Sequence, residues 1–148
     1  MASGTEQTRA AWKRRAAGVA MAAVCLLPLV LGAWITPDPA GHGSHTQLGL
    51  MPCGFLIATG QPCPTCGMTT AFAHATQGEL GTAAVTQPGG LLLCLLAAVG
   101  VWIGLHSAVF ASRAVEASLG VLRARPLILL AVLLAGAWVY KLVTWPAA

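Results

Sequence analysis

The sequence has very few charged residues. Only 8% of its 148 residues are Asp, Glu, Lys or Arg, whereas 57% are hydrophobic. A typical soluble domain has about 25% charged residues. A soluble domain of this size could not cover its surface with so few charges. The composition therefore excludes an ordinary soluble domain and indicates that lipid forms part of the solvent around the chain.

Several patterns typical of common functions are also missing. The sequence has no long basic run with interleaved aromatic residues, so nucleic-acid binding has no support and no nucleic-acid partner is expected. It has no Ser–His–Asp set, no phosphate-binding glycine loop and no paired carboxylate site. No catalytic residue is therefore predicted outside the cysteines, and the sequence favours a protein that is not an enzyme.

Three long apolar stretches are present instead, at residues 16–35, 91–110 and about 127–145. About twenty such residues cross the roughly 30 Å core of a bilayer as a helix. The sequence thus predicts an all-α integral membrane protein, with a basic leader at 1–15 in which disorder gives way to the start of a helix. Residues 16–148 then form one membrane domain. A cleaved signal peptide is the alternative for the first stretch, although its length favours a retained anchor.

The basic residues beside these stretches predict the orientation. The leader has four and the second connection has three: Arg9, Lys13, Arg14, Arg15, Arg113, Arg123 and Arg125. The long first connection, residues 36–90, has no Lys or Arg, and the last span has only Lys141, which we expect to extend to the lipid headgroups. Since basic residues accumulate on the cytoplasmic side, the N-terminus should be cytoplasmic and the 36–90 loop extracytoplasmic.

The 36–90 loop concentrates the unusual chemistry of the chain. It contains Cys53, Cys63 and Cys66, and the last two form a Cys-x-x-Cys motif. A short helix is predicted from about Gly67 to Gly78, and a second from Glu79 to Val85. Cys66 would then precede a helix N-terminus, where free N–H groups stabilise a thiolate.

Three interpretations of the cysteines remain open. In the first, two of them form a disulfide that holds the loop on the helices, as an oxidising compartment favours. In the second, Cys53, Cys63 and Cys66 bind zinc together with His74. In the third, Cys63 and Cys66 exchange disulfides with a substrate and Cys53 is the resolving thiol. No cofactor is assigned, but zinc fits the second interpretation.

The stretch from Cys53 to Pro88 resembles the domain of unknown function 2752 family, which comprises small bacterial membrane proteins with a Cys-Pro-x-Cys-Gly-x-Thr-Arg signature. The matching residues are Cys53, Thr59, Gly60, Pro62, Cys63, Pro64, Cys66, Gly67, Met68, Thr69, Ala71, Gly78 and Pro88. Two positions depart, because the family usually has Arg at the position of Thr70 and Asn at that of Gln87. The resemblance implies a bacterial cytoplasmic membrane but no activity.

These observations favour a structural or accessory membrane component. A membrane thiol–disulfide oxidoreductase is the alternative, and a zinc-binding membrane module is the second alternative. The bilayer is the expected partner, together with other membrane proteins. Gly100 and Gly104 form a Gly-x-x-x-Gly pair, which indicates either a contact within the chain or a homo-oligomer.

Overall fold

The computed structural model describes residues 4–122 and 124–145, and this part of the chain is helical without any strand. Its α-helices are α1 (Gly4–Trp34), α2 (Gly54–Thr59), α3 (Met68–Thr76), α4 (Leu80–Thr86), α5 (Pro88–Phe110), α6 (Ala114–Ser118) and α7 (Ala124–Thr144). Short 3₁₀ turns lie at Ser44–Leu48 and Leu119–Leu122. The predicted all-α fold is confirmed. Arg123 and the first three residues, which belong to the basic regions used above, lie outside the described residues.

Three helices are long and apolar enough to cross a membrane. They are α1, α5 and α7, with mean hydropathies of 2.3, 2.1 and 2.1 over their most apolar windows. Most of their large apolar side chains are exposed, among them Val24, Trp102 and Ile128. Such surfaces are stable only against lipid. The length and apolar surface of these helices therefore confirm the predicted three spans, with the cysteine-bearing loop between the first two.

The N-terminal leader differs from its prediction. Residues 4–15 are helical and continuous with the apolar part of α1, so the helix start expected in the leader is confirmed, whereas the disorder expected before it is wrong from residue 4 onward. Ala, Gln, Glu, Lys and Arg dominate this segment and are good helix formers. Arg14 Nε lies 3.3 Å from Glu116 Oε1 of α6. This ion pair brings the leader and the second connection to the same end of the helix bundle.

Small residues bring α1 and α5 into close contact. A Cβ atom on Gly104 would lie 2.6 Å from the Ala22 nitrogen and 2.7 Å from the Gly18 oxygen, and one on Gly100 would lie 2.5 Å from Cys25 Sγ. Both α5 glycines are therefore occupied by a contact within the chain, which was one of the two predicted roles of the pair. A homo-oligomer through them stays a prediction.

The cysteine loop is held against the last turns of α7 by three side chains. Trp138 Nε1 donates to the Pro62 carbonyl at 3.0 Å, Tyr140 Oη to that of Val85 at 3.2 Å, and Lys141 Nζ to that of Thr86 at 3.0 Å. Lys141 is only 7% exposed, so the expectation that it reaches the lipid headgroups is wrong. The loop folds over the end of α7 and offers carbonyl acceptors nearer than the headgroups.

Candidate metal centre

The turn from Cys63 to Met68 sets the geometry of the site. Cys66 N–H donates to the Cys63 carbonyl at 3.0 Å, and Met68 N–H donates to that of Thr65 at 3.1 Å. Gly67, at φ 84°, is the N-cap of α3 and reverses the chain direction there. The motif thus forms a tight turn that leads directly into the predicted short helix.

The structure brings the three loop cysteines together. The sulfur atoms of Cys53, Cys63 and Cys66 all lie within 4.8 Å of one another. Cys53 is the N-cap of α2, so a separate element supplies the third sulfur. All five cysteines are free thiols, and the other two, Cys25 and Cys94, lie in α1 and α5. Cys53, Cys63 and Cys66, hereafter the thiol cluster, are therefore the same three cysteines that were predicted to act together.

Two thiols of the cluster differ in acidity. Burial raises the pKa of the Cys63 thiol, but hydrogen bonds with Thr65 and Cys53 outweigh it and hold that pKa below its ordinary value. Cys63 Sγ lies 3.3 Å from Thr65 Oγ1. Cys66 is buried, and burial together with the charges of Cys63 and Cys53 raises its pKa to about 11. Cys63 is therefore the thiol that ionises first.

His74 does not join the thiol cluster. Its Nδ1 lies 2.6 Å from Glu79 Oε2, at the junction between α3 and α4. Among the described residues, the group with metal-ligand geometry contains the three cysteines and no histidine. The predicted four-ligand set is therefore not assembled here, because His74 lies in the second turn of α3 and is paired with Glu79 instead.

A cavity of about 500 Å³ opens beside the thiol cluster. All three cysteines contribute to its wall, and so does His45. The rest is mainly apolar and comes from α1, the loop and α3, including Leu31, Ile35, Leu50, Met68, Thr69 and Phe72. A second cavity of about 260 Å³ shares Cys53, Cys66 and His45 with it. Small ligands could thus reach the sulfur atoms.

Thr70 and Gln87, the two departures from the family pattern, are both completely buried. Thr70 Oγ1 shares a hydrogen bond of 2.8 Å with Ser44 Oγ, which ties α3 to the start of the loop. Gln87 Nε2 donates to the Pro64 carbonyl at 3.3 Å, whereas its Oε1 has no partner among the described residues. Both side chains thus fix the backbone around the turn from Cys63 to Met68, hereafter the cysteine turn.

The other residues of the motif have identifiable structural roles. Gly60 at φ 67° and Gly78 at φ 88° follow the C-terminal ends of α2 and α3 in the left-handed region that favours glycine. Pro62 is buried and accepts the hydrogen bond from Trp138. Pro88 occupies the first turn of α5, where its missing N–H costs nothing. The motif therefore builds the turn, the ends of short helices and the start of a span.

The fold and the site together define an α-helical membrane protein with a thiol cluster in the loop between its first two long helices. Residues 53–101 match the family model described as Protein of unknown function (DUF2752). This match confirms the predicted family resemblance for the segment that carries the thiol cluster, α2, α3, α4 and the first part of α5. No curated protein and no solved structure gives a significant match.

Proposed function

We propose that the thiol cluster binds one zinc ion and that the protein is an accessory membrane component whose loop this ion stabilises. The observation that carries the proposal is the approach of three sulfur atoms to within 4.8 Å of one another. Zn–S bonds of about 2.3 Å in a tetrahedral site put sulfur atoms roughly 3.8 Å apart. Only small side-chain adjustments are therefore needed to hold zinc, whereas a disulfide would use two of the three thiols.

The fourth coordination position would face the cavities described above. Zinc sites with three protein ligands keep such a position for water or another small ligand. The ion would join the start of α2, through Cys53, to the Cys63–Cys66 turn before α3. The ion would thereby cross-link two parts of the loop, and the proposed structural role rests on this cross-link and not on the open fourth position, which is typical of catalytic zinc.

The direct test is the metal content of the protein purified in detergent without added reductant or chelator. We expect about one zinc ion per chain, since a converging three-thiolate site binds zinc in preference to harder ions. Elemental analysis measures the ion, and intact mass spectrometry with and without reduction measures disulfides. A zinc-free preparation in which two loop cysteines are disulfide-bonded would contradict the proposal.

We further propose that the loop faces the outside of a bacterial cytoplasmic membrane and that the N-terminus is cytoplasmic. The basic residues of the leader and of the second connection support this orientation. The ion pair between Arg14 and Glu116 supports it too, because it joins these two regions at one end of the bundle. The thiol cluster would then lie in an oxidising compartment.

Thiol–disulfide exchange is the second candidate, favoured by the different acidities of Cys63 and Cys66. The Cys63 thiolate would attack a substrate disulfide and release one substrate thiolate. The released substrate thiolate would take the proton of Cys66, and the Cys66 thiolate would then attack Cys63 Sγ and release the second substrate thiolate. A Cys63–Cys66 disulfide would result, and the two electrons would reduce the substrate. Cys53 could resolve the mixed disulfide in place of Cys66.

Labelling with a membrane-impermeant maleimide tests the orientation and the exchange reaction together. On intact spheroplasts, after reduction and zinc chelation, Cys63 should be labelled first. Its lowered pKa leaves more thiolate at neutral pH, whereas Cys66 stays protonated until the pH approaches its pKa of about 11. As the pH is lowered, the rate of maleimide labelling at Cys63 should therefore begin to fall at a lower pH than it does for an ordinary thiol.

Cys25 and Cys94, which lie in spans, are the internal controls and should stay unlabelled. Labelling that requires access from the cytoplasmic side would reject the orientation. Equal rates at Cys63 and Cys66 across the pH range would remove the basis for exchange.

A further inference from the structure

Lys141 is a charged side chain buried beside the cysteine turn. It is 7% exposed, and its Nζ donates to the carbonyls of Thr86 at 3.0 Å and Gly41 at 3.4 Å. Nζ also lies 5.3 Å from the centre of the Trp145 ring. Removing an ammonium group from water is costly unless an opposite charge compensates it.

Among the described residues, no carboxylate lies close enough to provide that compensation. The chain has four acidic residues, all in its described part: Glu6, Asp38, Glu79 and Glu116. Glu116 pairs with Arg14 and Glu79 with His74, and within the described residues no carboxylate oxygen lies within 4.0 Å of Lys141 Nζ. The ammonium instead lies against Gly67, the residue that follows Cys66 of the thiol cluster.

The backbone next to Cys66 is shaped so that the ammonium can approach it. A Cβ atom on Gly67 would lie 3.3 Å from Lys141 Nζ and 2.6 Å from the Gly41 oxygen. The absence of a side chain at Gly67 thus leaves room for the lysine and for the Gly41 carbonyl that binds it. Two separate parts of the loop, near residues 41 and 86, hold the ammonium at the residue that follows Cys66.

We propose that Lys141 is the counter-cation of the thiol cluster and offsets the negative charge that its thiolates retain. The inference rests on the proposed zinc site and deepens it. Three thiolates and one Zn²⁺ carry one net negative charge, which a single ammonium group cancels. In a buried site an uncompensated charge of either sign is unfavourable, so the lysine and the anionic cluster stabilise each other. Lys141 is a positioning residue, since it acts through the cysteines.

The test compares three substitutions in α7. Lys141→Gln keeps a donor for the Gly41 and Thr86 carbonyls but removes the charge, and Lys141→Arg keeps the charge. Tyr140→Phe, the matched control, removes only the neighbouring hydrogen bond to Val85. Competition with a chromogenic chelator should show zinc affinity about tenfold lower for Lys141→Gln, as for other residues that support metal ligands. Lys141→Arg and Tyr140→Phe should stay within about threefold of the wild type.

A second measurement does not depend on zinc. The reduced, metal-free protein is treated with iodoacetamide at neutral pH, and Lys141→Gln should slow alkylation of the thiol cluster several-fold, with recovery in Lys141→Arg. Wild-type affinity in Lys141→Gln together with unchanged alkylation would overturn the inference. An equal loss in Tyr140→Phe would also overturn it, because docking of α7 would then explain the effect. If the wild type binds no zinc, the proposed function fails and the alkylation rates alone decide the role of Lys141.

Discussion

Cys53→Ser and Cys66→Ser are each expected to lower the zinc content from about one ion per chain to nearly none, with an affinity loss of at least about a hundredfold. A serine hydroxyl is a poor zinc ligand, and two remaining thiolates cannot complete the site. The effect at Cys53 is the informative one, since this residue lies outside the Cys-x-x-Cys motif. Elemental analysis and chelator competition on the purified variants measure it.

Cys25→Ser and Cys94→Ser are the matched controls. They remove the same sulfur atom from the same chain, but from α1 and α5 rather than from the loop. Both should retain wild-type zinc content. If Cys53→Ser also retained it, the site would need only the Cys-x-x-Cys pair, and the three-sulfur geometry would not be what binds the ion.

The membrane architecture could be predicted because it follows from composition. A span needs only a long run without charges, and such runs are visible in the sequence at 16–35, 91–110 and 127–145. Their ends were less predictable. The second span was expected from residue 91, yet α5 begins at Pro88, because the first turn of a helix tolerates the missing N–H of proline. Residues 4–15 are also helical because they are mostly good helix formers, although their polar character had suggested disorder.

The thiol cluster was only partly predictable. The spacing of Cys63 and Cys66 requires proximity, and the family resemblance added Cys53. The partner of His74 depends on how α3 ends and α4 begins, which residue spacing alone does not fix. The environment of Lys141 was beyond local reasoning, because it depends on contacts with residues 41 and 86 on the far side of the loop.

The family resemblance predicts an arginine where this chain has Thr70. Thr70 occupies that position, is completely buried, and shares its hydrogen bond with Ser44 rather than contacting an anion. A cation nevertheless lies beside the cysteine turn, supplied by Lys141 from α7. The departure at Thr70 therefore does not leave the thiol cluster without a positive charge nearby.

Gly67→Ala is expected to lower the free energy of unfolding by about 2–5 kcal/mol. The substitution costs about 1–2 kcal/mol for an alanine in the left-handed region, since Gly67 has φ 84°. It adds an overpacking cost of about 1–3 kcal/mol, because the new Cβ would lie 2.6 Å from the Gly41 oxygen. The displaced segment carries the Gly41 carbonyl that binds Lys141, so zinc affinity should fall as well.

Gly78→Ala separates the cost of the left-handed backbone conformation from the cost of overpacking. Gly78 has φ 88°, almost the same backbone conformation, but nothing lies within 4 Å of the position of its Cβ. It should therefore lose only the conformational part, about 1–2 kcal/mol, and keep wild-type zinc affinity. Unfolding by SDS in mixed micelles measures both variants under the same conditions. Equal destabilisation of the two would mean that the close packing of Gly67 against the Gly41 segment contributes nothing to holding the loop.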